Sequence, residues 1–223
     1  MTDTSRLAGV LLPISLTAML AGVAVAVPSG LTLNPADLGA VLQAVHDRTA
    51  LHLVALALDV LGWLTLSAAG LALAGLPGGL LAAAGLAGLL HDAGNLAVTQ
   101  LTADPGAALP VLLTAKWAVN LAGLLWVTAT AAAVVLLPLP RWVRWAGAVA
   151  AVSGLAAVVL PWTTGLAGSS AALEQAGYAL HLPVMLWWVR AGRPTYEVNG
   201  RRPGRPGLAP GPPGSGPESA TAA

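Results

Sequence analysis

The chain has 223 residues, 57% of them hydrophobic and 9% charged, with a formal net charge of +1 and neither cysteine nor phenylalanine. Soluble domains carry about 25% charged residues, so most of this chain is not built to sit in water. The small net charge gives no field for nucleic acid, and the lack of Cys excludes disulfides, thiolate metal sites and thiol redox chemistry.

Taken in order, the chain predicts an all-α integral membrane bundle of six spans over residues 1–190, followed by a Pro/Gly/Arg-rich tail, 191–223. About 20 apolar residues cross a bilayer, and residues 7–27 form the first such run. Ala24-Val25-Ala26 has the A-x-A form of a signal-peptidase site. The thin basic segment before it, Arg6 alone, reads instead as a retained first span. Asn34-Pro35-Ala36-Asp37 is a helix start, with Asn as N-cap and Pro at the first position. Leu38, Val41, Leu42 and Val45 then line one stripe of a short amphipathic helix, 35–47, expected to lie on the outer membrane surface as a plain connector, with a cap over what lies beneath as the functional alternative.

The second span, 50–75, carries His52, Asp59 and Trp63. Pro77-Gly78-Gly79 predicts a tight turn that makes it an antiparallel hairpin with the third span, 80–102. The fourth, 110–137, opens at Pro110 and carries Lys116 and Asn120 one turn apart. Pro138-Leu139-Pro140 stops it. The fifth, 142–160, has Gly147, Ala151 and Gly154 for close helix contact. The sixth, 171–189, places Glu174, Tyr178 and His181 on one stripe, and Pro183 frees a carbonyl within it. The tail is too polar and too rich in Pro and Gly to bury a core, which predicts disorder.

Positive charge sets the orientation. Arg6, Arg141, Arg144, Arg190, Arg193, Arg201, Arg202 and Arg205 fall on one side of a six-span bundle, and Arg48 alone on the other. Both termini are therefore expected in the cytoplasm, with the chain in a bacterial inner membrane.

The polar residues inside the spans carry the functional question. Gly88, His91, Asp92, Asn95 and Thr99 share one face of the third span. By depth, Asp59, Asp92, Asn95, Lys116, Asn120, Gln100 and Glu174 fall in the outer half, and His91 and His181 nearer the middle. Ionisable groups in hydrocarbon cost several kcal/mol unless paired or wetted. The expectation is one polar pocket that opens outward and is lined by Asp59, His91, Asp92, Asn95, Lys116, Asn120 and His181, with Asp92 paired to Lys116.

Four functions compete for that pocket. The reading placed first is binding or transport of a small polar solute or protons, because Asp, His and Lys together can titrate. The second is a haem b redox protein with His91 and His181 as axial ligands. The third is interhelical glue in a structural or partner-binding subunit, each hydrogen bond worth about 1 kcal/mol. The fourth, an enzyme acting on lipid, has no H-E-x-x-H, G-x-S-x-G or P-loop to carry it. No catalytic residue is assigned. No metal motif is visible either, since His46 and His52 sit six apart on different helical faces. The expected partners are the lipid bilayer, a second copy of the chain and a small polar ligand.

Ala50–Gly75, with its histidine His52 near the outer end, and Leu139-Pro140-Arg141-Trp142-Val143-Arg144-Trp145-Ala146-Gly147 resemble a group of bacterial six-span membrane proteins of unknown function. In that group a Pro-Arg-Trp element introduces a later span at the inner face. Pro140-Arg141-Trp142 matches it, and Arg144 departs from it where the group often has Gly. The resemblance covers about a third of the chain. It implies six-span architecture and brings no activity with it.

Overall fold

The computed structural model describes residues 3–73, 75–163 and 170–192. The chain runs through α1 (Asp3–Ala26), a 3₁₀ turn (Pro35–Asp37), α2 (Leu38–Asp47), α3 (Thr49–Leu73), α4 (Gly75–Val98), α5 (Pro105–Leu136), α6 (Arg141–Val159), a second 3₁₀ turn (Leu160–Thr163) and α7 (Ala171–Ala191). Among the described residues, five segments are long and apolar enough to cross a membrane: Arg6–Ala26, α3, α4, α5 and Arg141–Thr163. Helix α7 is 21 residues long, but Glu174, Gln175, His181 and Arg190 dilute its apolar character, and it falls outside that set. The predicted tail lies outside the described residues, apart from Ala191 and Gly192.

Short connections make sequential helices antiparallel neighbours. The packed pairs are α1–α3, α3–α4, α4–α5, α5–α6 and α6–α7, and α7 returns to touch α1, so six helices form a ring. Its interior is a core of Leu12, Met19, Trp63, Leu66, Leu81, Trp126, Val184, Trp187 and Trp188. Buried indoles need an acceptor: Trp188 Nε1 donates to Thr130 Oγ1 at 2.9 Å, and Trp187 Nε1 to the Val143 carbonyl at 2.8 Å. The outward faces are equally apolar, with Leu71, Val135 and Val152 exposed by 75%, 75% and 70%. A helix that is hydrophobic all round belongs in a larger core or a bilayer.

Three sequence expectations shift. Helix α3 ends at Leu73 and α4 starts at Gly75, ahead of Pro77-Gly78-Gly79, because Gly75, at φ 69°, supplies the left-handed residue that reverses the chain. Pro77 then sits in the first turn of α4, where no amide hydrogen is needed. Helix α5 starts at Pro105, not Pro110. Asp104 caps it by accepting from the Ala107 amide at 3.1 Å, and Pro105 takes the first position, a stronger start than Pro110 alone.

The third shift concerns α2. Its start is as read, with Asn34 Oδ1 accepting from the Ala36 amide at 2.9 Å. Its apolar stripe, however, is covered by protein. Val41, Leu42 and Val45 pack with Leu31, Leu33, Val98, Ala108 and Leu112 in a second core at one end of the bundle. The loop before it folds back far enough to bury those side chains, so α2 closes that end instead of lying flat on lipid.

The small residues of α6 do allow close contact. A side chain at Gly147 would strike Val134 and Trp187, and one at Gly154 would strike Val127 and Val184. Near Pro183, whose ring breaks the helical ladder, Ser153 Oγ donates to the Leu180 carbonyl at 2.7 Å.

Candidate functional site

Helix α4 presents Gly88, His91, Asp92 and Asn95 to the interior, all buried, while Thr99 leaves the stripe because the helix ends at Val98. Gly88 is required there: a Cβ would collide with the Trp63 ring of α3. The fixed group above it is His91. Its Nδ1 lies 2.8 Å from the Ala115 carbonyl of α5, which accepts and so places the proton on Nδ1. Nε2 is then left as a lone pair, and Asn95 Nδ2 donates to it at 2.9 Å. His52 of α3 reaches the backbone carbonyl of Asn95 at 3.3 Å, tying the N-terminal end of α3 to this turn.

Asp92 is different. It is 2% exposed, and no donor reaches either carboxylate oxygen. Asp59 of α3 faces it, beside the Trp63 indole. One ligand atom from each of Asp59, His91 and Asp92 lies within 4.8 Å of the others. Asn95 Oδ1 and the Trp63 and Trp126 indole nitrogens are also buried without a partner. Trp126 stands edge-on to Trp63, with ring centroids 6.0 Å apart. Native interiors leave few polar atoms unpaired, and here the unpaired ones belong to Asp92, to its helix neighbour Asn95 and to the packed Trp63–Trp126 pair.

A second cluster sits nearer the α2 end. Lys116 of α5 forms an ion pair with Glu174 of α7 and donates to the Thr32 carbonyl at 3.1 Å. Glu174 also accepts from Asn34 Nδ2 and from the Tyr178 hydroxyl, both at 3.0 Å. Glu174 lies in the first turn of α7, behind the Ser170 cap, where the helix dipole favours an anion. Leu33, between Thr32 and Asn34, is buried at φ 54°, a conformation costly for a branched side chain. The expected Asp92–Lys116 pair is therefore not formed. Lys116 extends toward the loop end and finds Glu174 and Thr32, whereas Asp92 faces α3.

Of the seven predicted site residues, the structure brings Asp59, His91, Asp92 and Asn95 together. Lys116 stands beside them, close enough for its charge to act on His91. Asn120 and His181 lie apart. Asn120 donates to the Val158 carbonyl and accepts from Trp162 Nε1, each at 2.8 Å, which joins α5 to α6. His181 packs edge-on against Trp126 at 5.2 Å. Axial ligation of a haem by His91 would require its lone pair to give up Asn95.

Two cavities, of about 370 and 330 Å³, are lined by Trp142, Val149 and Trp187 and by Ala93, Leu96 and Gln100. Neither is lined by Asp59, His91 or Asp92. Sequence reading missed the partners of Glu174 and the place of Trp126; the legible signals were Glu174 one turn before Tyr178 and Trp63 one turn after Asp59.

Fold and site together define an all-helical chain with five membrane-length apolar helices and a buried carboxylate–imidazole cluster between α3, α4 and α5. Comparison with protein-family models, with curated proteins and with solved structures finds no match.

Proposed function

We propose that the chain is a multi-pass membrane protein whose α3–α4 polar cluster binds or moves a small polar solute or protons. Asp92 carries this reading. A buried carboxylate with no donor costs several kcal/mol, and the group that faces Asp92 is a second carboxyl, Asp59, which relieves it only by bringing a proton. A purely structural carboxylate would have drawn a partner, as Glu174 does. The smallest occupant is one proton shared between Asp59 and Asp92, and a cation is the next.

In this reading α7 is the sixth span and both termini are cytoplasmic. Arg6, Arg141, Arg144 and Arg190 lie at one end of the ring and Arg48 at the other. Arg190 stacks on Trp142 at 5.2 Å, an arrangement suited to the inner interface of a plasma membrane. The cluster then sits toward the outer face, beneath α2 and the Thr32–Asn34 strap. The Lys116–Glu174 pair holds that strap down, so entry from outside requires it to lift. The architecture fits the six-span group that the Pro140-Arg141-Trp142 element resembles.

The test is proton flux in vesicles containing the purified chain, read with an internal pH dye after a potassium-diffusion potential is imposed. Wild type should collapse the gradient faster than protein-free vesicles, and Asp92→Asn should return it to the protein-free rate. Equal rates for wild type and Asp92→Asn would refute proton movement through this cluster.

A further inference from the structure

We infer that Asp59, His91 and Asp92 form a binding site for a divalent first-row transition-metal ion. The inference rests on reading this cluster as a ligand site, and it names the ligand class.

The geometry comes first. Donor atoms around a tetrahedral ion lie about 3.4 Å apart, given metal–ligand distances near 2.1 Å. The donor atoms of Asp59, His91 and Asp92 already lie within 4.8 Å of one another, so closing on an ion takes only side-chain rotation. The three come from two packed helices, with Asp92 next to His91 on α4 and Asp59 opposite on α3.

The second observation is the Asp92 carboxylate itself, 2% exposed, with no donor on either oxygen and one oxygen within 4.8 Å of ligand atoms of Asp59 and His91. The third is the setting of His91. A metal-binding imidazole characteristically donates its other N–H to a carbonyl, which fixes the tautomer and aims the lone pair. The Ala115 carbonyl, 2.8 Å from Nδ1, provides that support. Only the Asn95 amide covers the Nε2 lone pair. If Asn95 pivots, its unpartnered Oδ1 becomes available as a fourth donor.

Charge and ligand type narrow the ion. Two carboxylates and a neutral imidazole carry two negative charges, which a dication cancels in a low-dielectric interior. A monovalent ion balances the site only if one carboxyl keeps its proton and so gives up a donor oxygen. Lys116 does not serve as counterion, because Glu174 holds it. Magnesium and calcium prefer sets made wholly of oxygen, whereas imidazole with carboxylate suits zinc, manganese, iron or cobalt.

The experiment uses the full chain in detergent, stripped with chelator and titrated with Co²⁺ as a spectroscopic probe. One Co²⁺ per chain should bind with visible ligand-field bands, and Zn²⁺ should displace it. His46→Gln, which removes an exposed histidine on α2, should leave the signal intact. Asp92→Asn, Asp59→Asn and His91→Gln should each weaken binding by more than the roughly 100-fold cost of losing an outer-sphere partner. If one of these variants fails to give a monodisperse protein, the other two and Zn²⁺ competition on wild type decide.

Absence of Co²⁺ bands in wild type, or bands unchanged in all three variants, overturns the metal assignment. In that event, vesicle flux still abolished by Asp92→Asn would leave the proton or solute reading standing. Loss of both effects would remove both.

Discussion

Two polar clusters lie side by side in this bundle, and they are built on opposite principles. Around Glu174 every charge finds its complement: Lys116, Asn34 and Tyr178 all converge on one carboxylate. Around Asp92, a carboxylate, the Asn95 amide oxygen and the Trp63 indole N–H are buried without a hydrogen-bond partner. The first arrangement is what a chain uses to hold a strap and two helices together. The second costs stability, and chains keep such costs where a site needs them. On the function proposed above, the contrast separates structural polarity from functional polarity inside one apolar bundle.

The sharpest way to break that contrast is to remove one member of the satisfied cluster. Lys116→Met should cost about 3 kcal/mol, at the low end for a buried pair, because the Lys116 and Glu174 side chains keep 22% and 10% of their exposure. Adding Glu174→Gln should restore most of the loss. Chemical unfolding in mixed micelles measures both, and a single variant as stable as wild type would show that the pair holds nothing.

Gly88→Ala tests the floor of the unsatisfied cluster. Its Cβ meets the Trp63 ring, so overpacking should cost about 2 kcal/mol and shift tryptophan fluorescence. The smallest effect belongs to the α5–α6 contact. Trp162→Phe removes the donor to Asn120 at a half-exposed position, and should cost about 0.5 kcal/mol without altering vesicle flux.

Much of the architecture was legible because hydrophobic length and turn chemistry are local. The polar face of α4 could be read from the spacing of Gly88, His91, Asp92 and Asn95, and the Asn34 cap from its own tetrapeptide. The partners were not legible, because they depend on how far a long side chain reaches and on which helix rotates toward which. Lys116 has Asp92 and Glu174 at comparable depth, and only the packing of α7 and the Thr32–Asn34 strap decides for Glu174. The fate of α2 was hidden for a related reason. An amphipathic stripe looks the same whether lipid or protein covers it, and the covering residues, Leu31, Val98 and Leu112, come from three separate segments. Asn120 read like a site residue, yet its bonds to Trp162 and Val158 make it a joint between helices.

The most direct measurement is the unfolding free energy of Asp92→Asn against wild type, with chelator present and no ligand added. If Asp92 is kept for an occupant, the amide can donate to Asp59 and the variant should be more stable by about 1–2 kcal/mol. A variant less stable than wild type would mean that the carboxylate serves the fold, contradicting the assignment of this cluster as a binding site.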